Sequence, residues 1–103
     1  MEVKMNTVKE IKEILLKQKD ELKQKYRIKE IGIFGSYIRN EQQLTSDMDI
    51  LIEFDEDARI SLLDFVHVEN YLSDLLDVKV DLVERSTLKP RIGRHILKEV
   101  IYL

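Results

Sequence analysis

Three short runs of β-branched and aromatic residues stand between stretches whose apolar positions recur every three or four residues. This alternation of periods confines the chain to a sheet with helices packed on it. The runs are Ile28, Ile31, Ile33 and Phe34, ending at Gly35; then Ile50-Leu51-Ile52-Glu53-Phe54, stopped by the acidic turn Asp55-Glu56-Asp57; then Val78 to Val83. Ahead of them Val8, Ile11, Ile14, Leu15 and Leu22 mark an amphipathic helix from Thr7 to about Tyr26, with Asn6 or Thr7 as its cap. Ser61 caps a second helix, whose broad apolar stripe runs from Leu62 to Leu76. Pro90 opens a last helix with Ile92, Ile96, Leu97 and Val100 as its expected inward face. The fold expected is α/β (α+β): helices on a mixed sheet of three to four strands. With no linker or internal repeat, residues 1–103 read as one domain.

Composition narrows the function. A chain of 103 residues that is 44% hydrophobic supplies one core but no separate substrate domain, so any elaborate recognition must be shared with a partner. A net charge of -3 has the wrong sign for holding a phosphate backbone by bulk charge, so direct nucleic-acid binding is not expected. Cys is absent, which removes thiol nucleophiles, disulfides and cysteine zinc sites, and suits a reducing compartment. The first twelve residues show neither a signal peptide nor a membrane span, and a cytoplasmic location is expected. The second helix and the terminal Ile101-Tyr102-Leu103 carry more apolar surface than one thin sheet can cover, and part of it is expected to dock a partner.

The chemistry lies between the first two runs. Gly35-Ser36 closes an apolar strand, where a close turn and the first amides of a helical turn form a seat for phosphate. After a gap of ten residues come Asp47 and Asp49, two apart at the mouth of a strand, so both side chains leave on one face and bracket a hard cation. In the third run Val80 and Leu82 face one side and Asp81 the other, as Asp49 does beside Ile50, so a third carboxylate can join the pair. Simpler roles exist for each. Gly-Ser also serves as a plain turn, Asp47 and Asp49 also suit a solvated strand mouth, and Asp81 beside Lys79 also reads as an exposed ion pair. A calcium loop is excluded, because no Gly stands at its sixth position and Phe54 stands near its end. Arg39 either reaches a phosphate or braces the turn by a salt bridge, and Tyr37 either stacks on a base or packs inward. His67 and His95 have no ligand partner at useful spacing and read as packing or surface residues.

Gly35-Ser36, the ten-residue gap, Asp47-Met48-Asp49 and the later Asp81 together resemble the signature of the polymerase-β-type nucleotidyltransferase superfamily. Within it the chain is most similar to the minimal nucleotidyltransferases, over nearly its whole length. Ser46 to Phe54, Val80-Asp81-Leu82-Val83 and Ile96 to Val100 share in the likeness. Two positions depart from the pattern: Ile38 stands where the family has a small residue, with the expectation that it crowds the nucleotide side, and Asn40 where it has Gly. The resemblance implies a polymerase-β-like nucleotidyltransferase fold, ATP as substrate, and Mg²⁺ in a two-metal site held by the catalytic carboxylates Asp47, Asp49 and Asp81. Gly35, Ser36 and Arg39 would bind the nucleotide. It further implies an antitoxin that transfers AMP to a tyrosine of a helical HEPN ribonuclease toxin. An antitoxin acting by binding alone, and the catalytic subunit of an antibiotic-type nucleotidyltransferase, are the alternatives.

Overall fold

The computed structural model describes residues 8–35, 38 and 47–103. In chain order the elements are α1 (Val8–Tyr26), β1 (Ile28–Phe34), β2 (Met48–Phe54), α2 (Leu62–Leu76), β3 (Val80–Glu84), a 3₁₀ turn (Arg85–Thr87), α3 (Pro90–Glu99) and β4 (Ile101–Tyr102). The strands form one mixed sheet in the order β3-β2-β1-β4. β2 runs antiparallel to β1 and parallel to β3, and β4 returns antiparallel on the free edge of β1. The expected class is seen, with a mixed sheet of four strands and helices packed on it.

Strand alternation sorts the sheet into two unlike faces. On one, Ile31, Ile33, Ile50, Ile52, Val80 and Leu82 are buried with Ile11, Leu15 and Leu22 of α1 and Val68, Leu72 and Leu76 of α2 in a single core. Each such side chain, once taken fully from water, contributes roughly 1.5–3 kcal/mol before entropy is counted. The opposite face carries Asp49, Asp81 and Glu53 among the register partners of the three long strands.

The helix signals in the sequence hold at the atomic level. Ser61 caps α2 through a reciprocal box: its hydroxyl accepts from the Asp64 N–H at 3.1 Å, and its own N–H donates to the Asp64 carboxylate at 3.0 Å. Pro90 occupies the first turn of α3, where its missing N–H costs nothing. The cap expected for α1 at Asn6 or Thr7 lies outside the described residues. The acidic turn after β2 is more than solvated: Arg27, at φ 59, pairs with Asp57 at 2.9 Å and Asp55 at 3.4 Å, tying the start of β1 to the end of β2.

The expectation for α3 needs correction in part: Ile96 and Val100 are half-buried, but Ile92 and Leu97 are exposed, and the buried residue of that helix is Gly93, seated against Leu88. The terminal Ile101 and Tyr102, both exposed, belong to the sheet. They form β4, and Gly32 admits them: a Cβ there would lie 2.6 Å from Val100 Cγ2 and 3.3 Å from the Tyr102 ring. The Leu103 N–H continues the pairing to Ile31 O at 3.0 Å, and Lys19 Nζ from α1 donates to Leu103 O at 2.7 Å.

Candidate active site

The site is built where β1 ends and where β2 and β3 begin. Phe34 pairs with Asp49 across the antiparallel ladder, and Asp49 pairs with Asp81 across the parallel one. Neighbouring strands lie roughly 4.8 Å apart, so two carboxylates at one register position leave the same face side by side. Leaving two like charges there costs free energy that a bound cation removes. Asp47 stands immediately before β2 and is half-buried. The Met48 N–H donates to Lys79 O at 2.8 Å, so the mouths of β2 and β3 are fastened together at the level of these acids.

β3 is an edge strand, and α2 holds it in place with side chains. Ser73 Oγ accepts from the Val80 N–H at 3.0 Å, and Glu69 Oε2 accepts from the Leu82 N–H at 3.0 Å. Asp81 lies between these two anchored amides and is exposed. The edge that would otherwise template pairing with another chain is thereby covered, and the position of Asp81 is set by the helix.

Gly35 supplies the third side. Its φ of +82° is open to glycine and strained for any other residue. A Cβ at this position would overlap the Asp49 carboxylate oxygen and lie 2.8 Å from its Cγ, so the backbone of the turn rests directly on that carboxylate. Gly35 O accepts from the Ile38 N–H at 3.0 Å, which closes a turn after the strand. Ile38 is half-buried and packs against the hydrophobic core. The expected phosphate-side residues Ser36 and Arg39, with Tyr37 and Asn40, lie outside the described residues.

One member of the site carried no sequence argument. Glu99, the last residue of α3, accepts the Gly35 N–H at 2.8 Å and lies largely buried, with 18% side-chain exposure. His95, one helical turn earlier, has its Nε2 at 3.9 Å from the other Glu99 oxygen. A lone charge near a helix end gives no hint of this, since only the return of β4 onto β1 brings it to Gly35. His67 is exposed on α2, with its ring centroid 6.1 Å from that of Tyr26.

The donor set fits a hard divalent cation: carboxylates only, with two at adjacent register positions and a third at the strand mouth. Among the described residues no three His, Asp or Glu side chains converge closely enough to hold a metal ion as they stand.

Residues 15–103 match the nucleotidyltransferase domain family. This chain is a minimal nucleotidyltransferase. It is 46% identical over 99 residues to the protein adenylyltransferase MntA of Thermococcus cleftensis, covering 96% of this chain and 98% of the relative. It is 54% identical over 100 residues to a Methanocaldococcus jannaschii chain provisionally named a protein adenylyltransferase, covering 96% and 100%. A solved structure provisionally described as a minimal nucleotidyltransferase superposes with a TM-score of 0.72 at 30% identity, covering 90% of this chain and 95% of that one. A toxin–antitoxin structure with AMP-PNP shares the fold, with a TM-score of 0.68 at 20% identity over 84% of this chain and 69% of that one. As a minimal nucleotidyltransferase the chain has an enzyme's architecture. No helix among the described residues is long and apolar enough to cross a membrane.

Proposed function

We propose that this chain is a cytoplasmic antitoxin that transfers AMP from ATP to a hydroxyl of a partner protein, a helical HEPN ribonuclease toxin, and so neutralises it. The observation that carries the reading is the register pairing of Asp49 with Asp81, with Gly35 seated on the Asp49 carboxylate. Protein acceptors are favoured by the names of the relatives, which are protein adenylyltransferases.

In this reading Asp47, Asp49 and Asp81 would hold Mg²⁺, whose charge, when bound, would offset that of the triphosphate. Gly35-Ser36 and Arg39 hold the triphosphate so that its α-phosphorus faces the acceptor. Asp81, the exposed carboxylate, takes the proton from the acceptor hydroxyl. The hydroxyl oxygen bonds to the α-phosphorus as the bond from that phosphorus to the bridging oxygen breaks, and pyrophosphate leaves in line. A tyrosine is the preferred acceptor, because its long rigid side chain reaches an open site from a folded surface.

The partner's seat is the exposed start of α2. Leu62 and Leu63 are 78% and 81% exposed, and Val66 continues the stripe. Beside them a cleft of about 520 Å³ opens between α2 and the later half of β3, lined by Ile60, Phe65, Leu82 and Val83 among others. Its place away from the carboxylates suits a protein surface held next to the site better than a nucleotide.

The test is the position of a radiolabel. ATP labelled at the α-phosphate should mark the partner protein on tyrosine in a Mg²⁺-dependent way, and γ-labelled ATP should mark nothing. γ-Label on the partner, or α-label transferred without a divalent cation, would overturn the reaction. α-Label on a small molecule alone would assign the chain to the antibiotic-type enzymes, and complex formation with no transfer at all would leave a binding-only antitoxin.

A further inference from the structure

We propose that Glu99 is a positioning residue for the nucleotide: its carboxylate sets the Gly35 turn from behind and so fixes where the triphosphate can be held. The inference rests on reading Gly35-Ser36 as the phosphate seat. Three observations carry it. The bond from the Gly35 N–H to Glu99 Oε1 is 2.8 Å, a charge-assisted bond to a side chain that is mostly removed from water. Gly35 is the residue whose left-handed backbone, at φ +82°, aims the turn, and its Cα leans on Asp49. A glycine at such a position has many conformations to choose from, so an external clamp on its amide has more to fix than it would on any other residue.

The clamp is delivered by the end of the chain. The Val100 N–H closes α3 on Ile96 O at 3.0 Å, and Ile101 and Tyr102 then pair with Ile33 and Gly32. Glu99 is thus pinned between a helix end and a strand that belongs to the same sheet as Asp49. While this bond is made, the Gly35 N–H is committed to Glu99, so Gly35 serves the nucleotide by setting the turn, and Glu99 contributes orientation without touching the substrate. His95 Nε2 lies 3.9 Å from the other oxygen, and what the Gly35 N–H takes from Glu99 is an acceptor oxygen, which a carboxylate and an amide both supply.

That gives the test. Glu99→Ala removes the acceptor, whereas Glu99→Gln keeps an oxygen in place and removes the charge. Affinity for AMP-PNP with Mg²⁺ is measured by calorimetry on the full chain, with amide hydrogen exchange at Gly35 followed by NMR. Glu99→Ala is expected to weaken AMP-PNP by about tenfold to a hundredfold and to speed exchange at Gly35. Glu99→Gln is expected to restore affinity to within about threefold of the parent and to restore protection. A Gln variant as weak as the Ala variant would show that the charge itself acts, and parental affinity in Glu99→Ala would show that the clamp is idle; either overturns the proposal. If Glu99→Ala fails to fold, protection at Gly35 in Glu99→Gln decides, because loss of protection there means that no acceptor bond is made. A parent chain that does not bind AMP-PNP with Mg²⁺ would sink the reading of the site, and the proposal with it.

Discussion

Asp49 and Ile50 are consecutive residues of one strand, as are Asp81 and Leu82 of its neighbour, yet each pair divides between two worlds. Ile50 and Leu82 are buried in the core beneath α1 and α2, while Asp49 and Asp81 stand side by side on the other face. The same ladder hydrogen bonds that align Ile50 with Leu82 align the acids. A sheet needs only one face to be stable. The stable face lets the other carry two carboxylates at one register position, the pair proposed to hold Mg²⁺.

The largest expected effect tests that division directly. Asp49→Ala deletes no core volume, so its thermal midpoint should stay within a few degrees of the parent. Its transfer of AMP to the partner protein should fall by about a thousandfold or more, equivalent to about 4 kcal/mol of transition-state stabilisation. Ile50→Ala should do the reverse, costing about 2–5 kcal/mol of stability through the cavity it leaves while retaining activity in whatever fraction stays folded. Parallel melts and single-turnover assays on the two variants separate the effects. An Asp49→Ala chain that transfers at the parental rate would remove the acid from the chemistry.

How far the sequence disclosed this follows the range of each interaction. Ser61 and Pro90 act within one turn of backbone, and both sit where the sequence placed them. The opposite facing of Asp81 and Leu82 was legible because a strand alternates whatever its neighbours are. What the sequence could not show was decided by distant pairing. β4 is two residues long and has no period to read, existing only because β1 has a free edge and Gly32 leaves room on it. The strand mouth begins at Met48, earlier than the dense run at Ile50, because a bond to Lys79 O extends the pairing. The stripe of Ile92 and Leu97 was a correct period with the wrong inference attached, since periodicity finds an apolar face and says nothing of what covers it. Glu99 was invisible for the same reason that it matters: its partner lies 64 residues away.

A second prediction asks whether the core side of the sheet is purely structural. α2 buries Val68, Leu72 and Leu76 inward, but its first turn turns Leu62 and Leu63 to solvent. Leu63→Asp should leave the melting curve nearly unchanged and weaken the complex with the partner protein by about tenfold or more, as loss of a central apolar anchor does. Removing residues 101–103 is the poorer probe, because it takes away a strand as well as a surface. Unchanged partner affinity in Leu63→Asp, measured by calorimetry, would confine recognition to the acidic face or to α3.

The smallest effect expected lies at the cap of α2, where a contribution to stability can be isolated from chemistry altogether. The Asp64 carboxylate is held below the usual carboxylate range first by the Ser61 backbone N–H and then by the Ser61 hydroxyl, against a smaller opposing effect of desolvation. A carboxylate whose folded-state pKa is lowered binds its proton more weakly in the folded chain than in the unfolded one. Its contribution is therefore complete above the ordinary carboxylate value of about 3.9, and is lost as pH falls through the lowered folded value. Ser61→Ala should cost about 1 kcal/mol at neutral pH by removing the hydroxyl half of the box. Asp64→Ala should melt below the parent at about pH 7, and the gap should narrow as pH falls through the lowered folded value, where the parent's Asp64 takes up its proton as well. Transfer rates at neutral pH should be unaffected by either change, because the cap anchors the helix over the core face and touches neither Asp49 nor Gly35. A gap between parent and Asp64→Ala that stays constant across this acid range would mean that the box stabilises the helix without its charge. A fall in transfer rate in the folded variants would mean that the two faces of the sheet are coupled through α2, by way of Ser73 and Glu69 and the strand that carries Asp81.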